Sequence, residues 1–253
     1  VTERAGTFSA GQGSMVGDGI AEFDLSGTGL VTEVAVVDIA GGYKLRRVGD
    51  TATVPTSGIE ISDAFDNFDG SRRGRVRYDS PSFAGFKVGA SWGRNILSSS
   101  DDDTYYDFGI TYESEFNGAQ LEGGIAYQVR DRDGTDDNTE TVVASGAVLL
   151  PSGLNVAVSL GTEQDEGTYY YGKIGYKADW LAIGTTAVAV DYYMGDDMVS
   201  DGDSSAAVGL GLVQKIDDLN LEAYLGYYHY SYEDTTSDFE DASSIIVGAR
   251  WRF

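Results

Sequence analysis

Between residues 71 and 92 the chain reads SRRGRVRYDSPSFAGFKVGASW, with Arg73, Arg75 and Arg77 at alternate positions and Val76 and Tyr78 on the opposite parity. Successive side chains of an extended strand point to opposite faces, so this pattern commits the segment to a strand with one basic and one apolar face. After a turn over 80–85, Phe86, Val88, Ala90 and Trp92 share one face while Lys87, Gly89 and Ser91 share the other. The segment is a long hairpin, and two architectures accept it. In a soluble sandwich the apolar face is the inside. In a transmembrane barrel that face meets lipid and the arginines meet water in the lumen.

The rest of the chain chooses between them. Residues 105–116 set Tyr106, Phe108, Ile110 and Tyr112 against Asp107, Thr111 and Glu113, and 120–130 set Leu121, Ile125, Tyr127 and Val129 against Glu122, Gln128 and Arg130. The same alternation continues through 139–150, 154–161, 168–178, 181–193, 204–215, 219–232 and 243–253. With a short first strand at 3–10, this gives about twelve strands of about the length that crosses a bilayer when tilted. Short turns, such as Asn117 with Gly118, alternate with longer acidic loops, so all the long connections are expected at one end. That asymmetry suits an outer-membrane barrel, with short inner turns and long outer loops. Tyr105, Tyr106, Tyr169, Tyr170, Tyr192, Tyr193, Tyr227, Tyr228, Tyr230 and Tyr232 stand near strand ends beside the long loops. They are expected as an aromatic girdle at the membrane–water boundary.

Composition narrows the functional classes. The chain has 41 acidic residues against 17 basic ones, a formal charge of −24, which argues against a nucleic-acid partner. It has no cysteine, which removes disulfide frameworks and thiolate metal sites. No apolar run reaches the roughly 18 residues of a membrane helix, and barrel strands do not require one. The N-terminus shows neither an initiator Met nor a signal peptide, so a removed signal or a longer parent chain is expected.

Residues 12–70 show no sustained alternation. They carry Asp18, Glu22, Asp24, Glu33 and Asp38, a short apolar piece at 34–40, and the cations Lys44, Arg46 and Arg47. A connection this long in a compact domain is expected to be functional, here a folded-in loop with room for one or two helical turns.

The stretches GTFSAGQGSM, DGIAEFDLSGTG and GRVRYDSPSFAGFKVGASWG, and a last strand ending ARWRF, resemble the general diffusion porins of Gram-negative bacteria, closest to the alphaproteobacterial type. The resemblance covers essentially the whole chain. It implies an all-β, antiparallel transmembrane barrel in the bacterial outer membrane: residues 1–253 as one domain, with 12–70 as the constriction loop. It also implies sixteen strands in the intact family, of which the last twelve are present here. A homotrimer is implied too, in contact with the lipid bilayer and lipopolysaccharide and passing small polar solutes and ions. The terminal strand, with Trp251 and Phe253, is implied to be the signal read by the outer-membrane assembly machinery.

A pore of this kind needs opposed charges at its narrowest place rather than a catalytic group. The expected basic wall is Arg73, Arg75 and Arg77 with Lys87. The expected acidic wall comes from the loop: Glu22, Asp24 and Asp38, then Asp63 and Asp66. No cofactor is expected, although acidic loops leave room for a structural Ca²⁺. The run 131–140 does not supply an EF-hand, because Val129 stands at the first ligand position. Lys44, Arg46 and Arg47 are expected either in the pore or against lipopolysaccharide phosphates. Enzyme readings are weak: the single histidine, His229, shares the parity of Leu221, Leu225 and Tyr227 and is read as outward-facing. The runner-up is a structural or adhesive outer-membrane barrel with a plugged lumen.

Overall fold

The computed structural model of the chain describes residues 5–51, 58–98, 101–135 and 138–253. Its strands are β1 (Thr7–Ser14), β2 (Lys44–Arg46), β3 (Gly58–Glu60), β4 (Arg72–Asp79), β5 (Phe86–Arg94), β6 (Thr104–Phe116), β7 (Ala119–Asp131), β8 (Asn138–Leu149), β9 (Leu154–Glu163), β10 (Gly167–Leu181), β11 (Gly184–Asp196), β12 (Ser204–Ile216), β13 (Leu221–Glu233) and β14 (Ala242–Trp251). β1 pairs with β4, and from β4 onward each strand pairs antiparallel with the next as far as β14, forming one twelve-stranded sheet. Among the described residues no ladder joins β14 to β1. β2 and β3 make a separate two-stranded sheet inside the long segment, which also carries a 3₁₀ turn at Val36–Ile39 and a helical turn, α1, at Ile61–Ala64.

Three expectations are corrected. The first strand was expected over 3–10; Glu3 and Arg4 lie outside the described residues, and β1 runs on to Ser14, so the inward segment spans 15–71. The register explains the extension: Thr7 faces Asp79 and Ser14 faces Arg72, so β1 follows the whole length of β4. Residues 52–57 of the expected loop, and Asp136 and Asp137 of the acidic run 131–138, also lie outside the described residues.

The second correction concerns the alternation of loops. Connections 80–85, 117–118, 150–153, 182–183 and 217–220 close one end of the sheet, and 15–71, 95–103, 132–137, 197–203 and 234–241 close the other. The connection 164–166, at the long-loop end, is as tight as the turns opposite, so the asymmetry holds with one exception.

The third correction is to the tyrosine girdle. Adjacent strand residues cannot share a face. Tyr106, Tyr170, Tyr192 and Tyr227 do face outward and are partly exposed, but Tyr169, Tyr193, Tyr228, Tyr230 and Tyr232 are buried on the inner face. Outward positions such as Phe108, Ile110, Val158, Ile174, Leu210 and Val247 are apolar and exposed, as a lipid-facing surface requires.

The buried core therefore lies inside the curve of the sheet, between its inner face and segment 15–71. Ile20, Val36, Leu45, Ile61, Phe65 and Phe68 of the segment pack with Val143, Tyr169, Tyr193, Ala207, Tyr228 and Tyr230 of the wall. The same segment makes hydrogen bonds to Ser91 on β5, Asp107 on β6, Ser145 on β8, Lys173 on β10, Tyr193 on β11 and Tyr230 on β13. One segment can touch strands this far apart in the sheet only if the sheet curls around it.

Phe65 anchors this packing, with its ring centroid 5.4 Å from those of both Tyr193 and Tyr230. Phe65→Ala is expected to weaken docking of the segment by roughly 3–5 kcal/mol, the usual range for truncating a buried aromatic. Faster proteolysis within 58–70, with the melting of the sheet little changed, would check this.

Candidate pore constriction

Arg73, Arg75 and Arg77 all point to the inner face of β4, and the neighbouring strands leave space for them. Gly13, Gly11 and Ser9 of β1 face them on one side, and Gly93 and Ser91 of β5 face Arg75 and Arg77 on the other. A Cβ on Gly13 would lie 2.9 Å from Arg75 Nη2, and one on Gly93 would lie 3.0 Å from the Cβ atoms of both Arg73 and Arg75. These positions accept only a bare backbone without displacing an arginine.

Each guanidinium has its own environment. Arg77 forks onto Asp79 (Nη2–Oδ1 2.8 Å) and donates through Nη1 to the carbonyls of Met15 (2.6 Å) and Ser14 (3.3 Å). Arg75 Nε donates to the Ser14 carbonyl (3.0 Å). Arg73 has no carboxylate partner at ion-pair distance among the described residues; its guanidinium carbon stands 4.1 Å from the centroid of the Tyr105 ring. Arg75 and Arg77 thus hold the root of the inward segment, while Arg73 is the freest of the three charges. Lys87 is exposed further along the same wall. With Arg77, Asp79, Thr111 and, from the segment, Asp18, Val16 and Phe23, it lines a cavity of about 470 Å³.

The segment enters the lumen under tight control. Gly17 N–H donates to Asp107 on β6 (2.9 Å), and Gly19 and Ala21 N–H donate to the two oxygens of Asp69 (2.7 and 2.8 Å), which ties the entering limb to the leaving one. Ser145 on β8 donates to the Ile20 carbonyl and accepts from Phe23 N–H. Higher up, β2 docks on the outer loop: Val48 N–H donates to the Asp238 carbonyl, Glu240 N–H donates to that of Arg46, and Arg47 lies over the Phe239 ring. Lys44 pairs with Glu60 (3.4 Å). The basic cluster 44–47 therefore fastens this arm at the long-loop end.

The expected acids fall into three groups. Glu22 and Asp38 are exposed on the segment and face cavities. Glu22 shares one of about 220 Å³ with Asp24, Glu33, Ser159 and Tyr171, and Asp38 shares one of about 260 Å³ with Glu33, Tyr228 and Ile246. Asp24 lies beside the first of these cavities but is spent on the wall, with Oδ2 3.0 Å from Lys173 Nζ. Asp63 and Asp66 sit apart, in and just beyond α1, where Asp66 Oδ1 accepts from Phe68 N–H and the Asp66 carbonyl accepts from the Tyr193 hydroxyl. None of these acids is ion-paired with the arginine wall among the described residues.

Sequence reasoning gave no role to Glu33, which borders both smaller cavities. Burial, the nearby Asp38 and Glu22, and a hydrogen bond shared with Asp38 push its carboxyl up to about 8. Burial, with Asp69, Asp18 and Asp38 nearby, also raises Glu22 above the ordinary carboxylate range. Sequence reasoning also gave no role to Lys173, Asp69 and Asp107. Only Lys173 left a signal, a lone cation at mid-strand on the inner parity of β10. Among the described residues no group of three or more His, Asp or Glu is arranged to hold a metal ion.

Many of the remaining acids shape the outer loops. Asp203 accepts from three successive backbone N–H groups, at Met198, Val199 and Ser200, and Asp234 accepts from Thr236 N–H. Trp251 and Phe253 lie exposed at the end of the sheet with ring centroids 5.8 Å apart. His229 faces outward between Ser243 (3.1 Å) and Asp241 (3.3 Å).

The sequence profile of a Gram-negative porin family matches residues 1–235. The fold is similar to that of the anion-selective porin from Comamonas acidovorans, with a TM-score of 0.59 at 13% sequence identity, over 99% of this chain and 75% of that one. Among proteins of curated function, none matches the sequence.

Proposed function

The chain belongs to the Gram-negative porin family, the channels of the outer membrane, and from that premise we propose how this channel selects what passes. Small hydrophilic solutes and ions diffuse through a water-filled lumen that segment 15–71 narrows. Arg73, Arg75, Arg77 and Lys87 form the basic wall. Glu22 and Asp38 supply the loop's exposed negative charge, Asp24 braces the loop, and Asp63 and Asp66 contribute at the outer arm. The observation that carries this reading is the open cavity of about 470 Å³ between Lys87 and Arg77 of the wall and Asp18 of the segment. A passage lined by both signs of charge biases ions transversely without binding them tightly.

Transport of this kind needs no catalysis and no cofactor, and we assign neither; a structural Ca²⁺ is not part of this reading. We further propose a homotrimer surrounded by bilayer and lipopolysaccharide, with Trp251 and Phe253 presented to the assembly machinery from the exposed end of β14. The exposed apolar outer face supports contact with lipid or with neighbouring copies.

A plugged lumen is the competing reading, and the apolar cluster between segment and wall is the observation in its favour. Single-channel recording in a planar bilayer separates the two. Large ohmic steps closing in threes are expected from an open trimer, whereas an inserted but silent protein would establish a plug.

A further inference from the structure

We infer that Lys173 is the residue that positions the constriction loop, and that Asp191 is the acceptor it turns to when the loop leaves the wall. The inference rests on the channel reading above and adds a device to it.

Lys173 sits mid-way along β10, and its side chain is 1% exposed. Its Nζ donates to Asp24 Oδ2 at 3.0 Å and to the carbonyl of Thr32. One ammonium therefore holds both limbs of the turn between Asp24 and Thr32. That turn is otherwise closed on itself: Ser26 donates to Asp24, Thr28 N–H donates to Ser26 Oγ, and the Thr32 hydroxyl donates to that of Thr28. It is a small, internally bonded unit, and its charged connection to the wall is this lysine. A buried ammonium is tolerable only when it is paired and hydrogen-bonded, so the contact is held firmly while the loop is docked.

The lysine also has a second possible partner. Asp191 on β11 is its direct cross-strand neighbour, the nearest place for an ion pair on a sheet. Lys173 nonetheless bonds to the loop. Asp191 Oδ2 takes hydroxyl hydrogens from Tyr171 (2.9 Å) and Tyr228 (2.6 Å) instead. Its Oδ1 stays buried against Gly209 without a bond of good geometry. A released loop would thus not strand the ammonium, because rotation of the lysine side chain would give it Asp191. Two acceptors on opposite sides of one cation make a two-position latch, with the loop docked in one position and free in the other.

The two carboxylates should act in opposite directions. In Asp24→Asn the loop loses its charged hold, and the single steady conductance level should be lost to several interconverting levels. Lys173→Met should do the same. Asp191→Asn removes the alternative acceptor and should leave the level steady, with fewer spontaneous transitions than the parent.

A cysteine pair gives a readout independent of current. The chain has no native cysteine, and a Cβ on Gly27 would stand 3.4 Å from that of Ala187, close to disulfide spacing. Gly27→Cys with Ala187→Cys should cross-link more slowly under a fixed oxidant when Asp24→Asn is added. Once formed, the bond should restore the steady level until reductant is added. The strain of a side chain at Gly27 is common to both arms and cancels.

Equal cross-linking rates with and without Asp24→Asn would overturn the inference, as would parental traces from both Asp24→Asn and Lys173→Met. A silent parent protein would instead remove the open-channel reading, and the cross-linking rates would still decide the latch.

Discussion

Replacing Arg73, Arg75 and Arg77 together with serine is expected to move the zero-current potential under a salt gradient toward cation preference, with the largest shift at low salt. Residues two apart on a strand are spaced by about 6.6–6.8 Å, less than the Debye length of about 10 Å at 0.1 M salt, so the three guanidiniums act on a passing ion as one patch. At about 1 M, where screening shortens to about 3 Å, the same substitution should have little effect on selectivity. A salt-independent shift would point to a changed pore shape rather than a removed charge. No shift at low salt would take the arginines out of the constriction.

Lysine substitutions separate charge from geometry. Arg77 grips Asp79 and the Met15 carbonyl together, a planar contact that an ammonium does not reproduce. Arg77→Lys should therefore keep the sign of the selectivity while making the conductance less uniform, because the root of the segment is loosened. Arg73 holds no part of the segment, so Arg73→Lys should be nearly silent and Arg73→Ser should give the cleanest change in selectivity.

Most of the sheet was legible because its cause is local. Alternation of apolar and polar residues specifies a half-buried strand, and Asn117 with Gly118, both at positive φ, sets a tight hairpin without help from the rest of the chain. The inward direction of the arginines followed from the same parity. The tyrosines did not follow, although the rule was the same: in pairs such as Tyr169 with Tyr170 and Tyr192 with Tyr193, one ring must turn inward, and assigning both to the rim ignored the pleat.

What could not be read was which distant groups meet. Asp24 looked like any loop acid, and its partner Lys173 lies 149 residues away on a wall whose curvature is set by the segment itself. Ser145 and Asp107 take up backbone groups of that segment for the same reason: its hydrogen-bond demand is met by tertiary contacts rather than by local structure. The docking of 44–48 on 238–240 joins two irregular stretches by main-chain bonds, which leave no trace in side-chain pattern.

Raising the pH through about 8 is expected to add one negative charge to the lumen at Glu33, shifting the zero-current potential toward cations with a midpoint near that value. The cause is burial first, then Asp38 and Glu22, with Lys173 of the wall opposing them. A proton shared between Glu33 and Asp38 keeps the pair singly charged at neutral pH, and its loss sets two carboxylates against each other beside the 3₁₀ turn at Val36–Ile39. The sign for stability follows. An acid whose carboxyl is raised in the folded state binds its proton there when the unfolded chain has already lost it. Its contribution is therefore complete below the ordinary value of 4.5 and is lost progressively as the pH climbs to about 8. Docking of the segment should weaken over that window, seen as faster proteolysis of 15–71 at pH 9 than at pH 6. Glu33→Gln carries no titrating proton and should abolish both the selectivity step and the pH dependence of cleavage, while leaving the Arg73→Ser effect intact. If the step persists in Glu33→Gln, the titrating group lies elsewhere, and Glu22, raised by burial and by Asp69 and Asp18, is the next to replace.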